Sequence, residues 1–271
     1  MEDLIKQIKK TVVFLGAQNA SGEMQFRATG FLLNIQGIFH LATAKHVVVD
    51  PDTSQPLDTN MQIFFNLKTG GVGSRHLSGI NERFGVEWTF HDSQEVDIAL
   101  ILFGLEIEKD DVSRIPDNLF LATDVLFELY DVFFLSYQPG IKVTRRITPV
   151  IRQGIISLIN EDKTFYIDGA AFPGNSGSPV FLKPSPIRYG KGGIYIGGDK
   201  FGGKFIGVIG EYLPYQEVAV SVQTKRPRVI FEENTGLSRV WSVDFIKDIM
   251  LSDRFRSQLD RLERRMKEGA G

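Results

Sequence analysis

A chain of 271 residues with 42% apolar and 24% charged side chains can bury a substantial core, and it has the composition of an ordinary water-soluble globular protein. Its formal net charge of −2 gives no electrostatic reason to expect nucleic acid or an anionic membrane as partner. The chain has no cysteine, which excludes disulfides, a thiol nucleophile and a cysteine-ligated zinc site, and points to a reducing, cytoplasmic setting.

The N-terminal MEDLIKQIKK places Leu4, Ile5 and Ile8 at helical spacing, so a short helix is expected over residues 2–9. The first apolar run, Thr11 to Gly16, is too short for a signal-peptide core or a membrane span, and nothing later approaches the ~20 apolar residues a span requires. A first series of β-rich runs follows: TVVFLGA, GFLLNI, IFHLATA, MQIFFNL and VDIALILFGL, each bounded by turn residues. After a Pro- and Asp-containing link around residues 108–118 comes a second series: ELYDVFFLSY, TRRITPVIRQGIISLI, TFYIDGA, GSPVFL, KFIGVIGEYL and EVAVSV. Strands at this frequency without interleaved helices argue for all-β barrels or sandwiches and against a parallel α/β sheet.

Residues 184–204 are rich in glycine and lysine but lack the spacing of a phosphate-cradling loop, so they read as a hairpin insertion. From Asp244 the tail is helical. Phe255, Leu259, Leu262 and Met266 form a narrow apolar stripe expected to pack on the β-structure, with contact to another chain as the alternative.

The strongest local signal is Phe172-Pro173-Gly174-Asn175-Ser176-Gly177-Ser178-Pro179-Val180. A serine nucleophile needs a tight turn whose backbone N–H groups also face the developing oxyanion. Gly174 lacks a Cβ and can take dihedrals closed to other residues, so the amides of Gly174 and Ser176 are the expected oxyanion hole. Upstream, IFHLATAKHVV ends an apolar strand in small residues and then presents His46. Of His40, His46, His76 and His91, only His46 has an approach that leaves space for a cleft, as a general base requires. In QEVDIALIL, Asp97 directly precedes an apolar strand, so it is the acid expected to be buried and aimed at the imidazole. Asp92 and Glu95 read as solvated loop charges.

His46, Asp97 and Ser176 run in the order His, Asp, Ser, each at a strand end. With GFLL (30–33), TAKHVV (43–48), VDIALI (96–101), IDGAAFPGNSGSPVF (167–181), FIGVIGEY (205–212) and LSRVWSVDFIKDIM (237–250), the chain resembles trypsin-like serine peptidases of the HtrA type. The resemblance implies two six-stranded antiparallel β-barrels of the chymotrypsin-like kind with short terminal helices. Residues 1–115 would hold the first barrel, 116–243 the second and 244–271 the C-terminal helix. It also implies a serine endopeptidase acting on protein or peptide substrates without metal or organic cofactor.

Ala170 would floor the specificity pocket, and Gly210, Glu211 and Tyr212 would pair with an extended substrate, favouring small or medium apolar P1 residues. Ser178 stands where the family usually has a second glycine, no PDZ module follows Met250, and Asn175 replaces the acid that digestive proteases pair with a freed N-terminus. Activation by N-terminal clipping is therefore not implied. A regulatory partner, or self-association through the C-terminal helix, is the expected restraint. The alternatives are a latent protease-fold binding module and an unrelated all-β interaction protein.

Overall fold

The structure, a computed structural model, describes residues 2–50, 53, 55, 57, 60–77, 87–104, 106, 108–141, 143, 145–190, 192–196 and 202–268. Helix α1 (Glu2–Lys9) leads into β1 (Val12–Gln18), β2 (Met24–Ile35), β3 (Ile38–Thr43), β4 (Gln62–Asn66), β5 (Val72–His76), β6 (Thr89–Phe90), β7 (Ala99–Leu102) and β8 (Ile115–Pro116). These form one eight-stranded sheet in the order β5-β4-β1-β2-β3-β7-β6, with β8 pairing in parallel to β2 through Leu33 and Ile115. The expected link near residues 108–118 thus contributes a short strand of its own.

The second half is a closed six-stranded barrel, β10-β11-β16-β15-β12-β9. Its strands are β9 (Asp131–Ser136), β10 (Val150–Ile159), β11 (Thr164–Asp168), β12 (Pro179–Leu182), β15 (Phe205–Val220) and β16 (Pro227–Ser242). Between β12 and β15, β13 (Ile187–Gly190) and β14 (Gly193–Ile196) make a separate hairpin, as the glycine-rich composition suggests; residues 191 and 197–201 lie outside the described residues. The molecule is mostly β with short helices, the chymotrypsin-like arrangement expected.

Three apolar clusters explain why so many strands read as continuous hydrophobic runs. On β1, Val13 and Leu15 point into the core of the N-terminal sheet, while Val12 and Phe14 face the opposite way into a cluster shared with the second half. All four residues of β7 are buried. Strands with two covered faces lose the alternation of half-solvated ones. The shared cluster joins Phe31 and Leu33 to Phe133, Phe181 and Phe205, with the Phe31 and Phe205 rings 5.3 Å apart. The third cluster, including Val132, Phe165, Ile167 and Val180, fills the C-terminal barrel.

The chain closes with α2 (Val243–Leu251) and α3 (Asp253–Glu268). Ser252 breaks them apart, its hydroxyl donating to the Ile249 carbonyl and accepting from the Phe255 amide. The apolar stripe of α3 faces the β-structure. Phe255 stacks on His40 at 5.1 Å, Leu259 and Leu262 join the N-terminal core, and Gln258 donates to Thr89 at 2.9 Å. The side chain of Met266 lies outside the described residues.

His40, 1% exposed beneath Phe255, accounts for an acid sensitivity of this docking. Its Nε2 has no hydrogen-bond partner, and burial drives its pKa from 6.5 down to about 4 against a weaker upward pull from the Ile38 carbonyl. A lowered folded pKa means that the unfolded chain takes up the proton first. Stability is therefore complete above pH 6.5 and declines as pH falls towards 4, by up to roughly 3 kcal/mol. Urea unfolding across that range is expected to show the decline in the wild type and a shallower one in His40→Leu. Parallel profiles would assign the acid sensitivity elsewhere.

Candidate active site

β3 ends in Ala42-Thr43-Ala44, and a single 3-10 turn, Lys45–Val47, then carries His46. Asp97 lies two residues before β7, which pairs with β3 through Thr43 and Ala99, so the neighbouring strand ends bring acid and imidazole together. The carboxylate is used twice: Oδ2 lies 2.7 Å from His46 Nδ1, and Oδ1 accepts the His46 amide at 2.8 Å. Two bonds to one residue fix both the backbone and the ring, leaving Nε2 as the free nitrogen. Burial pulls the His46 pKa down. The hydrogen bond that His46 donates to Asp97, the Asp97 charge and that of Glu211 together outweigh this, so the imidazole titrates above its ordinary 6.5.

Ser176 arrives from the other half of the molecule, in the loop before β12. Pro173 and Gly174 occupy the centre of a turn closed by the Asn175 amide on the Phe172 carbonyl at 2.9 Å, and Gly174 takes φ +94°. Proline second and glycine third, with positive φ at the third, is the pattern of a type II turn. The buried Asn175 side chain pins the loop from inside: Nδ2 donates to the Tyr137 carbonyl at 2.6 Å and Oδ1 accepts the Phe172 amide at 2.9 Å. Of the amides in this run, those of Asn175, Gly177 and Ser178 are bonded to backbone carbonyls and that of Phe172 to Asn175. Among the described residues, the amides of Gly174 and Ser176 have no partner in the chain.

Gly177, at φ +83°, shows why the approach to His46 is built from small residues. A Cβ there would lie 2.2 Å from the Thr29 carbonyl, 2.3 Å from Thr43 Oγ1 and 3.0 Å from the Ala44 amide. The loop holding Ser176 thus seats directly on β2 and the end of β3.

His46 and Ser176 wall one cleft of about 310 Å³ with Ala171, Phe172, Pro173, Ile209, Gly210, Glu211, Tyr212 and Pro214. Among the described residues no hydrogen bond joins the serine hydroxyl to the imidazole; the two groups face the cleft from opposite halves of the molecule. A second cavity of about 580 Å³ continues past the imidazole along Asp97, Glu95, Glu211 and Trp241. Gly210, Glu211 and Tyr212 line the cleft together with Ala171, the neighbour of Ala170. Gly210 is required by close approach, since a Cβ would meet the Trp241 indole nitrogen at 2.6 Å. His40 and His91 are engaged elsewhere, packed on Phe255 and Phe245 respectively.

Two residues that the sequence reading passed over position the loop. Thr29, fully buried on β2, donates its hydroxyl to the Gly174 carbonyl at 2.8 Å and accepts the Tyr137 amide at 2.9 Å, while its own amide donates to the Ser176 carbonyl at 3.1 Å. Tyr137 packs beneath Gly174 and against Phe14 and Phe26 across the junction. The one signal in the sequence is a threonine beside the apolar run of its strand, ATGFLL. Thr29→Val keeps the shape and removes both hydroxyl bonds, so denaturant unfolding is expected to show a loss of about 1–3 kcal/mol. A variant as stable as the wild type would mean that water replaces the clamp.

Residues 28–184, more than half of the chain, match the family described as the trypsin-like peptidase domain. No curated protein sequence matches the chain. Among solved structures, a serine endoprotease from Yersinia pestis superposes with a TM-score of 0.52 at 14% identity, covering 94% of this chain and 66% of its own. The chain therefore spans just under two thirds of that protein's length. Deg5 gives a TM-score of 0.45 at 16% identity, covering 67% of this chain and 78% of its own.

Proposed function

The chain belongs to the trypsin-like peptidase family, and from that premise we propose that it is a serine endopeptidase with His46, Asp97 and Ser176 as its triad. The observation that carries the reading is the conjunction in one cleft of an Asp97-anchored imidazole, Ser176 and a loop whose unpartnered amides belong to Gly174 and Ser176. A turn used only for structure has no need to leave two amides without partners.

In this mechanism His46 Nε2 takes the proton of Ser176 as its oxygen attacks the scissile carbonyl. The carbonyl π-electrons move to oxygen, and the Gly174 and Ser176 amides bind the resulting oxyanion. Collapse of the tetrahedral adduct breaks the C–N bond, the leaving amine takes the proton from His46, and an acyl-enzyme remains. Water, deprotonated by the same imidazole, then releases the acid and restores the serine. Asp97 holds the imidazolium through its bond to Nδ1. Asn175, bonded to Tyr137 and Phe172, supports a loop already closed without an ion pair to a new N-terminus. The absence of cysteine favours a cytoplasmic setting for this chemistry.

A fluorophosphonate probe is expected to label Ser176 of the full chain, with a rate that rises as pH climbs through the elevated His46 pKa, and to leave Ser176→Ala unlabelled. Absence of labelling in the folded wild type would favour the latent reading, a protease-fold module that needs a partner to engage serine with imidazole.

The apolar walls Ala171, Phe172 and Ile209 support cleavage after small or medium apolar residues. A peptide library should return such residues at P1. A majority of cuts after arginine or lysine would instead assign the cleft's one acid, Glu211, to P1 recognition.

A further inference from the structure

β15 and β16 are each 16 residues long, far more than the barrel uses. β12 pairs with β15 only through Phe205–Val208, and β11 pairs with β16 only through Leu237–Trp241. Beyond these points the two strands pair with each other alone, from Pro214 opposite Asn234 to Val220 opposite Pro227. The result is a two-stranded arm standing off the barrel.

An isolated two-stranded ribbon is marginal in water unless something covers it. This one is apolar on both faces. Opposed residues share a face and successive ones alternate. Glu217 opposite Phe231 and Ala219 opposite Val229 therefore present one face, and Val218 opposite Ile230 presents the other. Val218, Val229, Ile230 and Phe231 are 49%, 50%, 63% and 56% exposed.

The charges along the arm are segregated. Glu217, Glu232 and Glu233 lie towards the barrel, and Lys225, Arg226 and Arg228 lie at the tip, with Val222 beside them 83% exposed. On β16 the midpoint between Arg228 and Glu232 is Ile230, opposite the apolar Val218. Turned end for end, the arm complements itself, with acid against base at both ends and apolar against apolar in the middle.

We propose that the arm is a self-association surface on which a second copy of this chain docks antiparallel about a two-fold axis. Such an isologous contact uses the same patch twice and closes at two copies. Burial of Val218 and Ile230 on their shared face supplies the affinity. The charges fix direction and exclude the parallel arrangement, in which tip would meet tip. The inference is independent of the peptidase reading, because it uses no residue of the triad.

Sedimentation of the full chain should give a mass near twice 30.4 kDa for the wild type and near 30.4 kDa for Val218→Asp/Ile230→Asp. Reversing only the tip, Lys225→Glu/Arg226→Glu/Arg228→Glu, or only the stem acid on the Val218 and Ile230 face, Glu232→Lys, should each return the monomer. An equimolar mixture of these two variants should regain the doubled mass, because each supplies the charge the other lacks. Unchanged thermal midpoints would show that the monomers are folded. A wild type that stays monomeric, with or without binding to lipid vesicles, overturns the proposal. A dimer that survives the valine and isoleucine substitutions, or a mixture that stays monomeric, does the same.

Discussion

One hydroxyl group ties the candidate site to the fold. Thr29 Oγ1 bridges the Gly174 carbonyl and the Tyr137 amide, joining a strand of the N-terminal sheet to two segments of the C-terminal barrel. Gly174 lies 145 residues further along the chain, so the geometry of the Ser176 loop depends on how the two halves dock. Docking is in turn a matter of aromatic packing: Tyr137 rests on Phe14 and Phe26, and Phe205 on Phe31. A buried polar group in such surroundings must find partners. Thr29 finds them in the loop, which turns generic apolar adhesion into one register of one half against the other.

The same logic places the imidazole and its acid. Antiparallel pairing of β3 with β7 sets two strand ends side by side, one leading into His46 and the other preceded by Asp97. Sheet hydrogen bonding thus provides the positioning, and the side chains need only short, direct contacts. The cleft lies between the N-terminal sheet and the C-terminal barrel, and its far wall is the stretch of β15 that leaves the barrel to become the arm.

Much of this was legible because it is local. A strand's apolar run, the small residues before His46 and the glycines around Ser176 each declare themselves within a few residues, and their chain order adds the rest. What was not legible is long-range or faces solvent. Thr29 reads as one more strand threonine until the loop it bonds is known. EVAVSV shows the alternation of a barrel strand, but periodicity reports which residues share a face and not whether that face is covered, so the arm passed for part of the barrel. β8 consists of only two residues and leaves no periodic trace.

The seating of Gly177 bears on the order of events during synthesis. Its missing side chain makes room for Thr29, Thr43 and Ala44, all made long before it, while its amide bonds the Ile209 carbonyl, which is made after it. The template for the Ser176 loop is therefore finished first, but the loop cannot be locked from the other side until β15 has left the ribosome. A nascent chain that ends before Ile209 carries a complete sequence for the serine segment and an incomplete scaffold to hold it. Topology alone delays a finished candidate site until most of the protein exists.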